Sequence, residues 1–400
     1  MVGTSGRRRG RDFALMAGIL VVVLTGANIP APLYVVYESL FGFRPDLTTV
    51  IFAVYAVGVL SSLLFFGRAS DHLGRRPVIG AALLLMAVST ALFLTAVNVL
   101  MLCLARMVSG LAIGLLVSPA TAGLSELEPG RDAHRAAVTA TSASMVGFGL
   151  GPLLSGFLSE YAPAPTHLVY AVYLGLLALT AAVLALIPET VAMRDRRFAP
   201  RLNVSVPAGI RAEFLPAAMG VFSGFFVLGL FVGLLPSFLG NDLHWTSHAV
   251  GGAVVFLLFA TAAAAERFAL HLADRHALGG GLLVLPLALV VIVLASAHAN
   301  LPAFLTGTIL GGAAVGLVYI GGQATVNRIS PPQQRAAVTS ALFIAAYTGF
   351  SLPVVAVGVA SVQLGTLRAT TGATIAFAII CAYALWLLTG SRLGRRSAAP

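Results

Sequence analysis

The sequence predicts an all-α integral membrane protein with twelve transmembrane helices, arranged as two pseudo-symmetric six-helix bundles with both termini in the cytoplasm. Three observations carry that prediction. The chain is 58% hydrophobic and only 10% charged, with a mean hydropathy of +0.96. A soluble domain carries about 25% charged residues, so water cannot be the solvent for most of this surface. The apolar runs are long enough to cross a bilayer core of about 30 Å, and in lipid every backbone group must bond internally, which makes such runs helices. The basic residues, 24 in number and all arginine, fall in short segments between those runs.

In chain order the spans are expected at 13–37, 47–66, 77–97, 99–124, 135–159, 167–187, 213–239, 248–269, 279–298, 301–327, 335–360 and 366–390. The first follows Gly6-Arg-Arg-Arg-Gly-Arg11. A signal peptide has a similar order. Here no A-x-A-like site follows promptly and the run from Phe13 is long, so it reads as span 1 of the mature chain. Alternate connections, with the span ends that adjoin them, hold every arginine except Arg44, Arg106 and Arg368. Arg44 and Arg368 fall on the other side, and Arg106 lies within a span. Cytoplasmic loops collect basic residues, so this split places both ends inside. The net charge of +10 therefore reflects membrane orientation and implies no nucleic acid. Cys103 and Cys381 sit in separate apolar runs, with no redox or metal spacing. No metal and no cofactor is implied. The absence of lysine suggests a GC-rich bacterial genome.

The longest polar connection, 188–212, separates residues 1–187 from 213–400. The two parts repeat. Arg135-Ala-Ala-Val-Thr139 recurs as Arg335-Ala-Ala-Val-Thr339, Gly110-Leu-Ala-Ile-Gly114 matches Gly312-Ala-Ala-Val-Gly316, and Pro129 matches Pro331. Pro32 and Pro236 are expected to close spans 1 and 7. Two equivalent halves of shared topology are the architecture of secondary transporters that rock about a midplane site.

Three segments carry chemistry. Between spans 2 and 3 the chain reads Gly67-Arg-Ala-Ser-Asp71-His-Leu-Gly74-Arg75-Arg76-Pro77. Gly67 lets span 2 approach a neighbour, Gly74 can take positive φ, and Pro77 suits a first helical turn. Arg75 and Arg76 anchor the loop inside, and Asp71 is placed to pair or to meet a helix N-terminus. In span 4, Arg106 precedes Gly110 and Gly114 on one face. An arginine at membrane depth costs about 2.5–3.5 kcal/mol on insertion scales, so it needs a cavity or a partner, or else it snorkels outward. In span 5, Gly147-Phe-Gly149-Leu-Gly151-Pro152-Leu-Leu-Ser155-Gly156 gives a smooth packing face, kinked where Pro152 clashes with the Phe148 carbonyl.

These segments resemble the signature motifs of the major facilitator superfamily, and of bacterial twelve-helix drug/proton antiporters within it. The resemblance implies that Gly67, Asp71, Gly74, Arg75 and Arg76 form a conformational latch joining span 2 to span 11. It implies a proton-transfer role for Arg106. Gly147, Gly151, Pro152, Ser155 and Gly156 resemble the antiporter motif associated with export, with Ser155 in place of a glycine. The second half keeps only Asp274 of the latch; Leu270 and Ala277 replace the glycines.

In that fold spans 1, 4, 7 and 10 line the central cavity. This makes Asn28, Arg106, Phe222, Phe226, Tyr319, Gln323 and Asn327 the candidate substrate contacts, with Phe225 and Phe231 also on span 7. The phenylalanines would equally suit lipid contact, and Gln323 with Asn327 would equally suit interhelical hydrogen bonding. One departure matters. Span 1 has Asn28 where many proton-coupled exporters carry an acid, and reaches a carboxylate only at Glu38. Glu266 on span 8 is the acid placed within a span, followed by Arg267; His271 lies near the same end. Arg106, Glu266 and His271 are therefore the coupling candidates. Gly251 and Gly252, at the start of span 8, are expected to pack against Gly147–Gly156 of span 5.

The function expected is secondary active export of small organic molecules by proton antiport with alternating access. A major facilitator importer is the alternative. An enzyme is disfavoured because no HExxH, G-x-S-x-G or paired carboxylates occur at membrane depth. An ATP-driven pump is disfavoured because no lysine exists to build a phosphate-binding loop. The expected partners are a small-molecule substrate, protons and the lipid bilayer, for a monomer in a bacterial cell membrane.

Overall fold

The computed structural model describes residues 2–191, 204–237, 239 and 247–396. Among these residues it contains helices and no strand, and twelve helices are long and apolar enough to cross a membrane. Span 1 is Val2–Asn28, span 2 Pro45–Phe66, span 3 Arg75–Leu94, span 4 Val99–Leu127, span 5 Ala133–Tyr161 and span 6 Pro165–Leu186. Span 7 is Arg211–Ser237, span 8 His248–Phe268, span 9 Asp274–Ala297, span 10 Leu301–Ile329, span 11 Arg335–Leu364 and span 12 Thr366–Arg396. Large apolar side chains such as Leu84, Leu100, Leu287 and Trp386 stay exposed on the helices, as lipid-facing residues must. Of the expected 188–212 connection, residues 192–203 lie outside the described residues, with Arg194, Arg196, Arg197 and Arg201 among them.

Span 1 departs from expectation at both ends. The helix runs back through the arginine-rich start and stops at Asn28, and a separate short helix, Tyr34–Phe41, follows. The break has a local cause. Pro30 and Pro32 have no N–H to give to the carbonyls four residues earlier. The chain turns instead through short bonds, Ala31 N–H to the Asn28 carbonyl and Leu33 N–H to the Pro30 carbonyl, both 3.1 Å. Glu38 therefore belongs to the short helix rather than to span 1.

The structure divides into two compact units. One comprises Met1–Phe43, Val54–Leu202 and His248–Phe256; the other comprises Arg44–Ala53, Asn203–Ser247 and Leu257–Pro400. Each unit is built by the same packing. In the first, Gly110 and Gly114 press span 4 onto span 2: a Cβ there would collide with the carbonyls of Tyr55 and Val59. In the second, Gly312 and Gly316 press span 10 onto span 8, against the carbonyls of Leu258 and Ala262. Without a hydrophobic driving force between helices in lipid, such backbone approach is what holds them. The contact of span 5 with span 1 at Gly147, against Val21, returns as the contact of span 11 with span 7 at Gly349, against Phe222. The helix starts repeat too. Asn98 accepts from the Met101 N–H at 3.0 Å to cap span 4, and Asn300 accepts from the Ala303 N–H at 2.9 Å to cap span 10.

Candidate functional site

Two clusters gather at the loops. In the first unit, Gly74 takes φ 99° between the short helix Ala69–Leu73 and span 3, the backbone that glycine was expected to supply. The Arg75 guanidinium gathers two carboxylates, Asp71 at 2.6 Å and Glu126, near the end of span 4, at 2.9 Å. It also donates to the Ser70 hydroxyl. Glu189, which the sequence did not single out, accepts from the backbone N–H groups of Arg75 and Arg76 at 2.9 and 3.1 Å. It meets the positive end of span 3; an acid a few residues after span 6 is its sequence signal. The Arg76 guanidinium donates to the Ala185 carbonyl. At Gly67 a neighbour does come close: the Ser118 hydroxyl of span 4 donates to its carbonyl at 2.9 Å. A Cβ there would also strike the Leu63 carbonyl at the end of span 2. In the second unit, Arg328 near the end of span 10 bridges Glu213 at 3.1 Å and Asp274 at 3.3 Å. The ends of spans 4 and 10 thus carry opposite charges, Glu126 and Arg328, in the same structural role.

A polar centre lies deep in the first unit. Arg106 is completely buried, although the insertion cost would drive an unpartnered arginine outward. It donates from Nη1 to the Ala27 carbonyl and from Nε to the Tyr34 hydroxyl. Its guanidinium also lies 5.3 Å from the Tyr34 ring centroid and 5.6 Å from that of Tyr55. The break in span 1 explains the arrangement. Ala27 would serve Ala31 in a continuous helix, but Ala31 has turned to Asn28, and the guanidinium takes the released carbonyl at the negative end of the helix. Arg106 does not snorkel.

Asn28 answers the kink in span 5. Pro152 cannot donate to the Phe148 carbonyl, and Asn28 Nδ2 does so instead at 3.0 Å. Asn28 is buried and gives this donor to span 5.

The antiporter-type motif faces two ways. Gly147 and Gly151 pack on span 1, against Val21 and against Thr25 with Ile29. The expected seating of this stretch on span 8 holds only further along. Gly156 meets His248 and Gly252, and Gly252 meets Pro152 and Gly156. Ser155 is buried, with its hydroxyl 3.4 Å from the Pro152 carbonyl. Gly251 is only partly buried, and Gly252 makes the approach. Glu160, which the sequence did not single out, accepts from the Ala249 N–H at 2.9 Å and so caps span 8 from the end of span 5.

The second unit buries an acid near the end of span 8. Glu266 is completely buried. Arg267 and His271 are exposed, so Arg267 does not cover its neighbour. Tyr319 of span 10 lies within electrostatic reach of Glu266, one helical turn before Gln323. Phe225 stands beside them, 5.7 Å from the Tyr319 ring and 5.8 Å from that of Tyr347. The other span 7 phenylalanines go elsewhere. Phe222 and Phe226 stack on Phe377 of span 12, at 5.6 and 3.8 Å, and Phe231 lies 5.9 Å from Phe304. Of the second-half cavity candidates, Phe222 and Phe226 meet on Phe377, Tyr319 lies beside Phe225, and Asn327 stands exposed near the helix end. Among the described residues no cluster of His, Cys, Asp and Glu could hold a metal.

Twelve apolar helices and a packing scheme repeated in two units define a polytopic membrane protein. Residues 15–277 match the Major Facilitator Superfamily, and the chain belongs to that family. Over 175 residues it is 23% identical to the quinolone resistance protein NorA of Staphylococcus aureus, a match spanning 44% of each chain. It is 28% identical over 149 residues to the MFS-type transporter traF of Penicillium crustosum, covering 37% of this chain and 30% of that one. The chain thus matches less than half the length of these relatives. Its fold is similar to that of a bacterial homologue of the human lysosomal transporter Spinster in an inward-facing, unoccupied conformation, with TM-score 0.77, 14% identity, and 96% and 98% of the two chains covered. It is also similar to the human organic anion transporter MFSD10 (TETRAN), with TM-score 0.70, 18% identity, and 95% and 99% covered.

Proposed function

We propose that this transporter exports small organic molecules across a bacterial cell membrane by proton antiport, as a monomer with both termini inside. The reading rests above all on span 5, where Gly151-Pro152 kinks the helix and the released Phe148 carbonyl is taken by Asn28 of span 1. The similarity to a drug-resistance protein supports it. The halves 1–187 and 213–400 rock about the 188–212 connection. Asp71 and Arg75 form the latch that changes partners between states. Gly156 and Gly252 form a seam that closes and opens in each cycle, suited to that task because it rests on packing rather than on strong ion pairs.

The test is flux in proteoliposomes containing the purified protein, with norfloxacin and ethidium as separate probes and a pH gradient imposed in either direction. Antiport export predicts probe movement against the proton flow, and resistance to the same compounds in an efflux-deficient host. Movement with the proton flow would make the protein an importer by symport.

A further inference from the structure

We infer that the second unit binds the phosphate group of an anionic phospholipid, in a cavity at the end of span 10. The site goes beyond the transport reading and is independent of the direction of transport. The cavity has a volume of about 210 Å3 and is lined by Glu213 and Pro216 of span 7, Arg275 of span 9, Thr325 and Arg328 of span 10, and Leu388 of span 12. The starts of spans 7 and 9 meet the ends of spans 10 and 12 there. This is the end of the unit that the arginine distribution assigns to the cytoplasm. Leu388 lies just before Gly390, where the apolar stretch of span 12 stops. Tyr383 and Trp386 precede it, exposed and stacked on each other at 5.7 Å. Exposed Tyr and Trp rings at the end of a span mark the level of lipid headgroups, so the cavity lies at headgroup depth.

The first unit closes the same corner with its own acids. Glu189, just after span 6, accepts from the N–H groups at the start of span 3. Glu126, near the end of span 4, joins Asp71 on Arg75, whose side chain is only 11% exposed. In the second unit the charge at the end of span 10 is Arg328, and its side chain is 52% exposed. Residues 389–400, which follow span 12's Leu388, contain three arginines and no Asp or Glu. What Glu126 and Glu189 supply from within the first unit, a phosphate from outside the chain supplies in the second.

Arg328 is prepared for such a ligand. Glu213 holds its Nη1 at 3.1 Å and Asp274 holds its Nε at 3.3 Å, while Nη2 has no partner among the described residues. A guanidinium fixed at two nitrogens can offer the third to a phosphate oxygen with little further loss of side-chain freedom. Arg275 donates to the Leu388 carbonyl and brings a second guanidinium to the same wall. Five N–H donors let it keep that bond and still meet a phosphate. Arg211, exposed at the start of span 7, adds a third cation, so the arginines outnumber Glu213 and Asp274. Both acids are engaged by Arg328, and the ammonium of a zwitterionic headgroup would meet carboxylates already neutralised. An anionic headgroup fits this balance better, and basic pockets between spans on the cytoplasmic side suit one. Pro216 and Leu388 supply an apolar wall for its glycerol backbone.

The test is native mass spectrometry and thermal unfolding of the full-length protein in detergent, titrated with dioleoylphosphatidylglycerol, dioleoylphosphatidylethanolamine or glycerol 1-phosphate. Wild type should retain phosphatidylglycerol, and its unfolding temperature should rise as that lipid is added. Arg328→Gln should weaken this binding about tenfold, as the loss of a charge-assisted hydrogen bond does. Arg275→Gln should weaken it less, and Arg267→Gln, at an exposed arginine of span 8, should leave it unchanged. Each variant is scored on the shift that the lipid produces, so a lower starting stability does not enter. If Arg328→Gln fails to fold, Arg275→Gln carries the test. Equal binding of phosphatidylglycerol by wild type and the cavity variants overturns the site. Equal binding of phosphatidylethanolamine overturns the anionic headgroup. Binding of glycerol 1-phosphate as tight as that of the lipid overturns the lipid as occupant and makes the site one for a soluble phosphate ester.

Discussion

The two units solve one packing problem identically and one electrostatic problem in opposite ways. Spans 4 and 2 approach through Gly110 and Gly114, and spans 10 and 8 through Gly312 and Gly316. On that shared scaffold the first unit buries a cation, Arg106, and the second buries an acid, Glu266. Neither charge is repeated at the matching position of the other half: Arg106 matches Thr308, and Glu266 matches Leu63. The difference teaches that the repeat preserves what lets helices touch, while the groups that could move a proton or hold a broken helix belong to one half only. Arg106 has a structural reason to exist in span 1's missing bonds.

The largest effect should follow from breaking the first centre. Arg106→Ala leaves the Ala27 carbonyl and the Tyr34 hydroxyl without this donor, at about 1–3 kcal/mol for each group left unsatisfied. Thermal unfolding in detergent should shift down and flux should be abolished. Arg106→Lys should recover part of both, because an ammonium lacks the planar fork. By contrast Glu266→Gln should leave the unfolding temperature nearly unchanged. Equal destabilisation by both variants would erase the distinction between a structural and a functional charge.

The seam of spans 5 and 8 gives the next largest effect. Gly252→Leu forces a side chain into the Pro152 carbonyl and should stop export of ethidium while the protein still inserts. Gly151→Leu should act through span 1 instead, lowering stability by about 1–3 kcal/mol or more, as overpacking does. If Gly151→Leu were the one that blocks transport without loss of stability, the assignment of each glycine to its partner helix would be reversed.

A smaller effect sharpens the role of Asn28. Asn28→Ala should cost about 1–3 kcal/mol, because the Phe148 carbonyl loses its donor. Pro152→Ala restores an N–H to that carbonyl, so the double variant should lose less than the sum of the two single changes. Strict additivity in a double-mutant cycle would show that Asn28 does not serve the kink. The smallest stability effect belongs to Asp71→Asn. Asp71 is 54% exposed and Arg75 keeps Glu126, so the cost should lie within the roughly 0–1 kcal/mol of a surface pair. Flux should nevertheless fall, and wild-type flux would leave Asp71 a turn residue only.

Much of this was legible from residue order alone, because it depends on properties that accumulate along the chain. Hydropathy over about 20 residues sets a span in lipid. Glycines four apart set a face of close approach, and a glycine in a short loop supplies positive φ, as Gly74 does. The sequence by itself therefore determined the twelve helices, the repeat and the glycine turn between spans 2 and 3. It did not determine which helix each small residue meets, because a face of close approach names no partner: Gly147 and Gly151 went to span 1, and Gly156 went to span 8. It did not show that Asn28 and Arg106 answer backbone groups freed by prolines elsewhere, since those bonds join residues 120 and 79 apart. Nor did it separate Phe225, beside Tyr319, from Phe222 and Phe226 on span 12. Those choices belong to tertiary structure. A released carbonyl or an aromatic face is satisfied by whatever group folding brings within reach, and that is a matter of distance in space rather than order in the chain.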